Sequence, residues 1–222
     1  MRKAAVIHDL SGFGKCSLTA AIPVLSALGV QCCPVATAVL TGQTGYPCYH
    51  CTDLTAMLPD YIDAWGKNNA HFDAIYSGFL TGAKQISQVL DFIHHFREEH
   101  TLLLVDPVMG DDGNAYPFFT PGLLNGMKEL TLEADVITPN LTEACLLADV
   151  PCEHADWQKL MDRLSENGAS VLITSAGDAV VGVDARTGMR FNIPFERDPG
   201  EHWGTGDRFC ALLLDGLAHK MP

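Results

Sequence analysis

Short apolar runs alternate with longer amphipathic stretches along the chain. KAAVIH (3–8), VQCCPVATAVL (30–40), DAIYSGF (73–79), TLLLVDP (101–107) and ADVITPN (134–140) are apolar almost throughout, the pattern of strands buried on both faces. Between them, residues 17–28, 83–99, 141–149 and 156–167 repeat apolar positions at helical spacing. SVLITSAG, AVVGVDA and MRFNIPF predict three further strands at 170–177, 179–185 and 189–195, and a closing helix begins near residue 205. The alternation predicts an α/β fold: a mostly parallel sheet joined by right-handed crossovers, with helices on both faces. Ligands of such sheets bind beyond the carboxyl ends of the strands. Polar residues gather at those ends, as HDLSGFG, YSGF, VDPVMGDDG and TPNLTE.

Composition narrows the class. The 222 residues are 47% hydrophobic with a mean hydropathy of +0.11, enough apolar material for one domain with a sizeable core. No repeat, low-complexity tract or linker divides it, so a single domain over residues 1–222 is expected. With 14 Lys and Arg against 27 Asp and Glu, a net charge of −13 and no basic stripe, nucleic acid is not an expected partner. Only a short apolar stretch precedes Asp9, which predicts neither signal peptide nor membrane span and points to the cytoplasm. The eight cysteines, several inside apolar runs, are expected as reduced thiols. Cys48 and Cys51 have metal-ligand spacing but no second pair, so no thiolate metal site is expected.

Two nucleotide-binding fingerprints are absent from the first loop. Gly14-Lys15 is followed by Cys16 with no glycine five places earlier, which fails the Walker A spacing, and Ser17 stands where a dinucleotide fingerprint needs its third glycine. The stretch HWGTGDRFCALLLDG (202–216) is more informative. Gly204-Thr205-Gly206 at a helix start offers unpaired N–H groups and the positive end of the helix dipole, a place for a phosphate or oxyanion. A carboxylate beside an anion site repels the anion, so Asp207 makes chemical sense as a general base on a hydroxyl that attacks phosphorus. Helix capping by Thr205 or Asp207 explains the same residues without chemistry. Asp106, Asp111 and Glu143, at other strand ends, are hard oxygen ligands suited to Mg²⁺. Asn140 and Glu143 also have capping-box spacing, and the two readings are compatible.

DPVMGDDG, TPNLTE, LITSAGD and GTGDRFCALLL, in this order, resemble the vitamin kinases of the ribokinase-like superfamily, most closely the pyridoxal/pyridoxamine kinases. The resemblance spans nearly the whole chain and implies a three-layer α/β/α fold and ATP-dependent phosphorylation of a hydroxymethyl group on a heteroaromatic ring. It makes Asp207 the base, and Gly204, Thr205 and Gly206 the anion hole. Asp106, Asp111 and Glu143 match the family's Mg²⁺ and phosphate region, with Asp106 and Glu143 as metal ligands. Thr138, Asn140, Thr174 and Ser175 match residues along the nucleotide phosphates or a monovalent cation, K⁺ being the candidate. Asp9, Ser11, Gln43, Thr44 and Phe79 fall in the ring pocket. The resemblance further implies a homodimer. Gln43 stands where pyridoxal kinases often carry histidine, and Phe79 where they carry tyrosine. HDLSGFG is similar to the loop of hydroxymethylpyrimidine kinases, the alternative substrate class. The family continues with further helices beyond the GTGD helix, so this chain is expected to lack C-terminal helices; a non-catalytic pyridine-binding remnant is the alternative that follows.

Overall fold

A computed structural model describes residues 1–196 and 203–219. Its first half runs β1 (Lys3–Ser11), α1 (Ser17–Ala27), β2 (Gln31–Leu40), β3 (Cys51–Asp53), α2 (Leu58–Lys67), β4 (Ala74–Ser77), α3 (Ala83–Phe96) and β5 (Leu102–Val105). The second half runs β6 (Gly110–Asp111), β7 (Asn114–Ala115), α4 (Pro121–Leu132), β8 (Val136–Ile137), α5 (Leu141–Ala148), α6 (Trp157–Leu164), β9 (Ser170–Ile173), β10 (Ala179–Val183), β11 (Arg190–Pro194) and α7 (Thr205–Ala218). The main sheet has nine strands in the order β11-β10-β9-β8-β5-β4-β1-β2-β3, and β6 and β7 form a separate hairpin. The central six strands are parallel, while β3, β10 and β11 pair antiparallel at the two edges.

Period-2 alternation divides the core. Ala4 and Val6 of β1, Tyr76 of β4 and Leu104 of β5 pack with Cys210, Ala211 and Leu214 of α7 and Leu18, Ala21 and Leu25 of α1. The intervening residues Ala5, Ile7, Ile75, Leu103 and Val105 face the other layer, with Ile86, Val89 and Phe92 of α3, Met127 of α4 and Cys145 of α5. This is the expected three-layer α/β/α arrangement. The crossover helix after β1 covers one face and that after β4 the other, so the sheet reverses its winding between these two neighbouring strands. Open α/β sheets hold their ligands at such a reversal.

The helix read over 83–99 ends at Phe96, because Arg97 turns to an extended conformation at φ −75° and ψ 120°. Helices α2 and α4 stand where the apolar pattern predicted none. Each begins with a proline in its first turn, and Thr120 caps α4 by accepting from the Leu123 N–H at 3.1 Å. All eight cysteines are free thiols. Among the described residues no helix is long and apolar enough to cross a membrane.

Candidate active site

A cleft opens at the reversal point, above the carboxyl ends of β1, β4 and β5. Asp9 and Ser11 of β1, Gln43 and Thr44 of the loop after β2, Phe79 after β4, Val108 after β5 and Phe118 line it, with Gly204 and Asp207 closing one end. The structure thus brings together all five residues predicted for the ring pocket and two of the four predicted for phosphoryl transfer. Phe79 meets Phe118 edge to face, with ring centroids 5.4 Å apart at 82°, giving the cleft an aromatic wall. Gln43 Oε1 accepts from the Gly45 N–H at 2.7 Å, while its buried Nε2 has no protein acceptor among the described residues. That leaves a buried donor for a ligand to satisfy.

Gly204 caps α7 in a left-handed conformation (φ 71°), and a Cβ there would lie 2.0 Å from the Lys15 carbonyl oxygen. Only glycine lets the two loops meet this closely. Thr205, Gly206 and Asp207 form the first turn that follows, where backbone N–H groups have no partner within the helix. Asp207 does not fold back onto that turn. Its Oδ2 accepts from the Ser17 N–H at 2.7 Å and its Oδ1 lies 2.9 Å from His8 Nε2.

His8, which the sequence reading did not single out, lies between the carboxylates of Asp9 and Asp207. It is 2% exposed, and its Nδ1 lies 3.0 Å from Asp9 Oδ1. Asp9 Oδ2 in turn accepts from Ser11 Oγ at 2.7 Å. Burial alone pulls the imidazole pKa down, but Asp207 and then Asp9 outweigh it and push it up to about 10. Burial likewise raises Asp9, yet hydrogen bonding and charge from His8 hold its carboxyl below the usual range. The alternation carries the signal for this histidine: in AAVIHDL, Ala4, Val6 and His8 share the face that α7 covers.

The other half of the site lies beyond β5 and β8. Burial, reinforced by the Asp207 charge, pushes the Asp106 carboxyl up to about 7, and burial with the Asp106 charge raises Glu143 well above the usual carboxylate range. The expected capping box is formed: Asn140 Oδ1 accepts from the Glu143 N–H at 3.0 Å, and Glu143 Oε2 from the Asn140 N–H at 2.8 Å. Glu143 Oε1 also accepts from the Met109 N–H at 3.1 Å, and Asn140 Nδ2 donates to the Gly110 carbonyl at 2.7 Å. Ser175 Oγ accepts from the Leu141 N–H at 3.2 Å, and the Thr174 N–H bonds the Pro139 carbonyl at 3.0 Å, so the ends of β8 and β9 are tied together. Thr138 is buried against Cys210 at 3.2 Å, and Asp111 sits exposed on the β6–β7 hairpin. Among the described residues no three His, Cys, Asp or Glu side chains converge tightly enough to cage a metal. Asp106 and Glu143 are hard oxygen donors, the ligand class that Mg²⁺ takes.

The chain is similar to several known proteins. The family model for phosphomethylpyrimidine kinase matches residues 14–222. A pyridoxine/pyridoxal/pyridoxamine kinase of Bordetella avium is 31% identical over 221 residues, covering 92% of this chain and 74% of its own. The Lactobacillus plantarum pyridoxal kinase structure is 30% identical with a TM-score of 0.91, covering 100% of this chain and 82% of its own. A Bacteroides thetaiotaomicron protein, solved in a crystal form with pyridoxal, is 37% identical with a TM-score of 0.89 over 98% of this chain and 80% of its own. Some curated relatives are longer: a Caenorhabditis elegans match of 29% identity takes in 67% of this chain and 48% of the relative, so the chain spans about half of that protein's length. The chain belongs to the phosphomethylpyrimidine kinase family, in the ribokinase-like group that includes the pyridoxal kinases.

Proposed function

We propose that the protein transfers the γ-phosphoryl group of ATP to the 5′-hydroxymethyl group of a B6 vitamer, giving the 5′-phosphate and ADP, as one ribokinase-like unit. The observation that carries this reading is Asp207: a carboxylate that lines an aromatic-walled cleft and directly follows the Gly204-Thr205-Gly206 turn. The hydroxyl proton passes to Asp207, the freed oxygen pair forms the new bond to phosphorus, and the bond from phosphorus to the ADP oxygen breaks. The N–H groups of Gly204, Thr205 and Gly206 donate to the oxygens of the transferring group. Asp106 and Glu143 would hold Mg²⁺ directly or through water, which would supply charge neutralisation of the triphosphate. Asp111, Thr138, Asn140, Thr174 and Ser175 belong to the nucleotide side, with K⁺ a candidate companion ion there.

A planar heterocycle suits the cleft better than a sugar. Asp9, Ser11, Gln43 and Thr44 give a few polar contacts beside Phe79 and Phe118, whereas a sugar would bring several hydroxyls, each costing free energy if buried unpaired. The test is kcat/KM for pyridoxal, pyridoxamine, hydroxymethylpyrimidine and ribose under one set of conditions. A B6 vitamer is expected to lead hydroxymethylpyrimidine by at least about tenfold, or about 1.4 kcal/mol of transition-state preference, with ribose inert. A tenfold lead for hydroxymethylpyrimidine would assign the protein to the pyrimidine substrate instead.

A further inference from the structure

Strand β1 carries its face alternation straight into the site, and at the third inward position of the α7 face it places a histidine instead of an aliphatic side chain. The imidazole is wedged. A Cβ on Gly78 would fall 2.1 and 2.2 Å from its Cδ2 and Nε2, so the ring occupies the space that glycine leaves. Tyr76 stands edge-on to it with centroids 5.8 Å apart at 78°. Backbone N–H groups of Asp9 and Phe79 approach Nδ1 at 3.0 and 3.3 Å. These two contacts favour a bare Nδ1 and the Asp9 carboxylate favours a protonated one, but Nε2 faces the Asp207 carboxylate and carries a proton in either form. Its 2.9 Å approach to Oδ1 is a close ionic contact rather than a well-aligned hydrogen bond.

Asp207 needs such a partner. It is the third residue of α7, the position from which an acidic side chain reaches back to the N-cap amide in a capping box. In that rotamer the carboxylate would occupy the N–H groups that the transferring phosphoryl group is to use, and its charge would repel that group. Here Oδ1 is drawn to His8 and Oδ2 to the Ser17 N–H, so both oxygens are held away from the helix end. The same ring offsets the negative charge of Asp9 and Asp207 in a buried place. Asp106 after β5 and Tyr76 of β4 also face the ring, while Cys16 before α1 and Cys210 of α7 lie near the Asp207 charge.

We propose that His8 is a positioning residue for phosphoryl transfer, which holds the Asp207 carboxylate off the α7 amides and aimed into the cleft while linking it to Asp9 in the ring pocket. The proposal rests on the reading of Asp207 as the base. The experiment is a double-mutant cycle of His8→Ala with Asp207→Asn, read as kcat and KM for pyridoxal and ATP, with His8→Gln as the conservative variant. His8→Ala is expected to lower kcat by about 10–10²-fold, the scale of a misplaced catalytic group, with both KM values nearly unchanged. His8→Gln, whose amide can reach the same Asp207 oxygen, recovers most of that loss. On the Asp207→Asn background, removing His8 costs almost nothing further.

Wild-type kcat in His8→Ala, or an equal loss on both backgrounds, overturns the proposal while leaving the base reading intact. Wild-type kcat in Asp207→Asn removes the base reading and this proposal with it. If His8→Ala does not fold, His8→Gln is compared with His8→Asn, one methylene too short to reach the carboxylate. About tenfold higher kcat for Gln is then expected from the same positioning argument, and equal values overturn it.

Discussion

The two halves of the cleft hold their carboxylates in opposite ways. On the β1/α7 side, Asp9 and Asp207 share one buried imidazole, and hydrogen bonding and charge from His8 keep Asp9 ionised in spite of its burial. On the β5/β8 side, burial drives both Asp106 and Glu143 toward the protonated form, and the hydrogen-bond partners of Glu143 are neutral backbone amides. On the proposed reading, the chain supplies its own counter-charge where the hydroxyl would be activated and leaves a deficit where the nucleotide would sit. A buried carboxylate without a cation is costly, so on that reading the second half would gain stability from a metal–phosphate ligand, whereas in the first the imidazole already offsets both carboxylates.

The comparison can be broken in order of expected effect. If the β5/β8 half depends on a divalent ion, excess EDTA abolishes turnover and added Mg²⁺ restores it; an enzyme at full rate in EDTA would remove that dependence. If the β1/α7 half holds the base, Asp207→Asn folds and binds pyridoxal with little change in KM while kcat falls about 10²–10⁴-fold, the range for a lost general base. Glu143→Gln should be milder, raising the Mg²⁺ concentration for half-maximal rate by about 10–100-fold, the usual cost of weakening a ligand or its outer partner; an unmoved Mg²⁺ titration would confine Glu143 to capping α5.

The smallest effect sharpens the contrast through stability. A histidine whose pKa rises on folding from 6.5 to about 10 contributes stability that is complete below the lower value and lost as pH climbs through the upper one. Melting temperatures of wild type and His8→Gln should therefore differ most near pH 6 and converge only above pH 10. Each kcal/mol is worth about 2–4 °C at this chain length, within reach of calorimetry. A gap independent of pH would mean that the imidazole is neutral in the fold.

Most of this architecture was legible because buried parallel strands leave long apolar runs, and the residues at their ends stand out by polarity. Asp9, Ser11, Gln43, Thr44 and Phe79, scattered over 71 positions of sequence, do line one cleft. What escaped had physical reasons. Helix α4 carries Pro121, Gly122 and Gly126, which read as loop residues, yet proline belongs in a first turn, and a Cβ on Gly126 would lie 3.0 Å from Ile86 Cδ1 where α3 packs against it. Helix α2 is disguised the same way by Pro59 and Gly66, the latter seated over the His95 ring. His8 escaped because a histidine at the edge of an apolar run reads as the place where the strand ends. Its partner Asp207 is 199 positions away, and only the sheet order reveals that the two meet.

Three aromatic side chains bind the loops over the cleft together: Phe13 lies 4.9 Å from Tyr46, and Tyr46 lies 4.8 Å from Trp203, which itself lines the pocket. The other two tryptophans, Trp65 and Trp157, pack against the core on the α2–α6 layer. One indole of three is therefore an optical probe built into the site. Pyridoxal and its phosphate absorb in the near ultraviolet where indole emits, so filling the cleft should quench Trp203 by energy transfer and leave the remote pair less affected. Replacing Trp65 and Trp157 by phenylalanine would leave a single emitter, through which ring binding and product release could be followed in real time without a label.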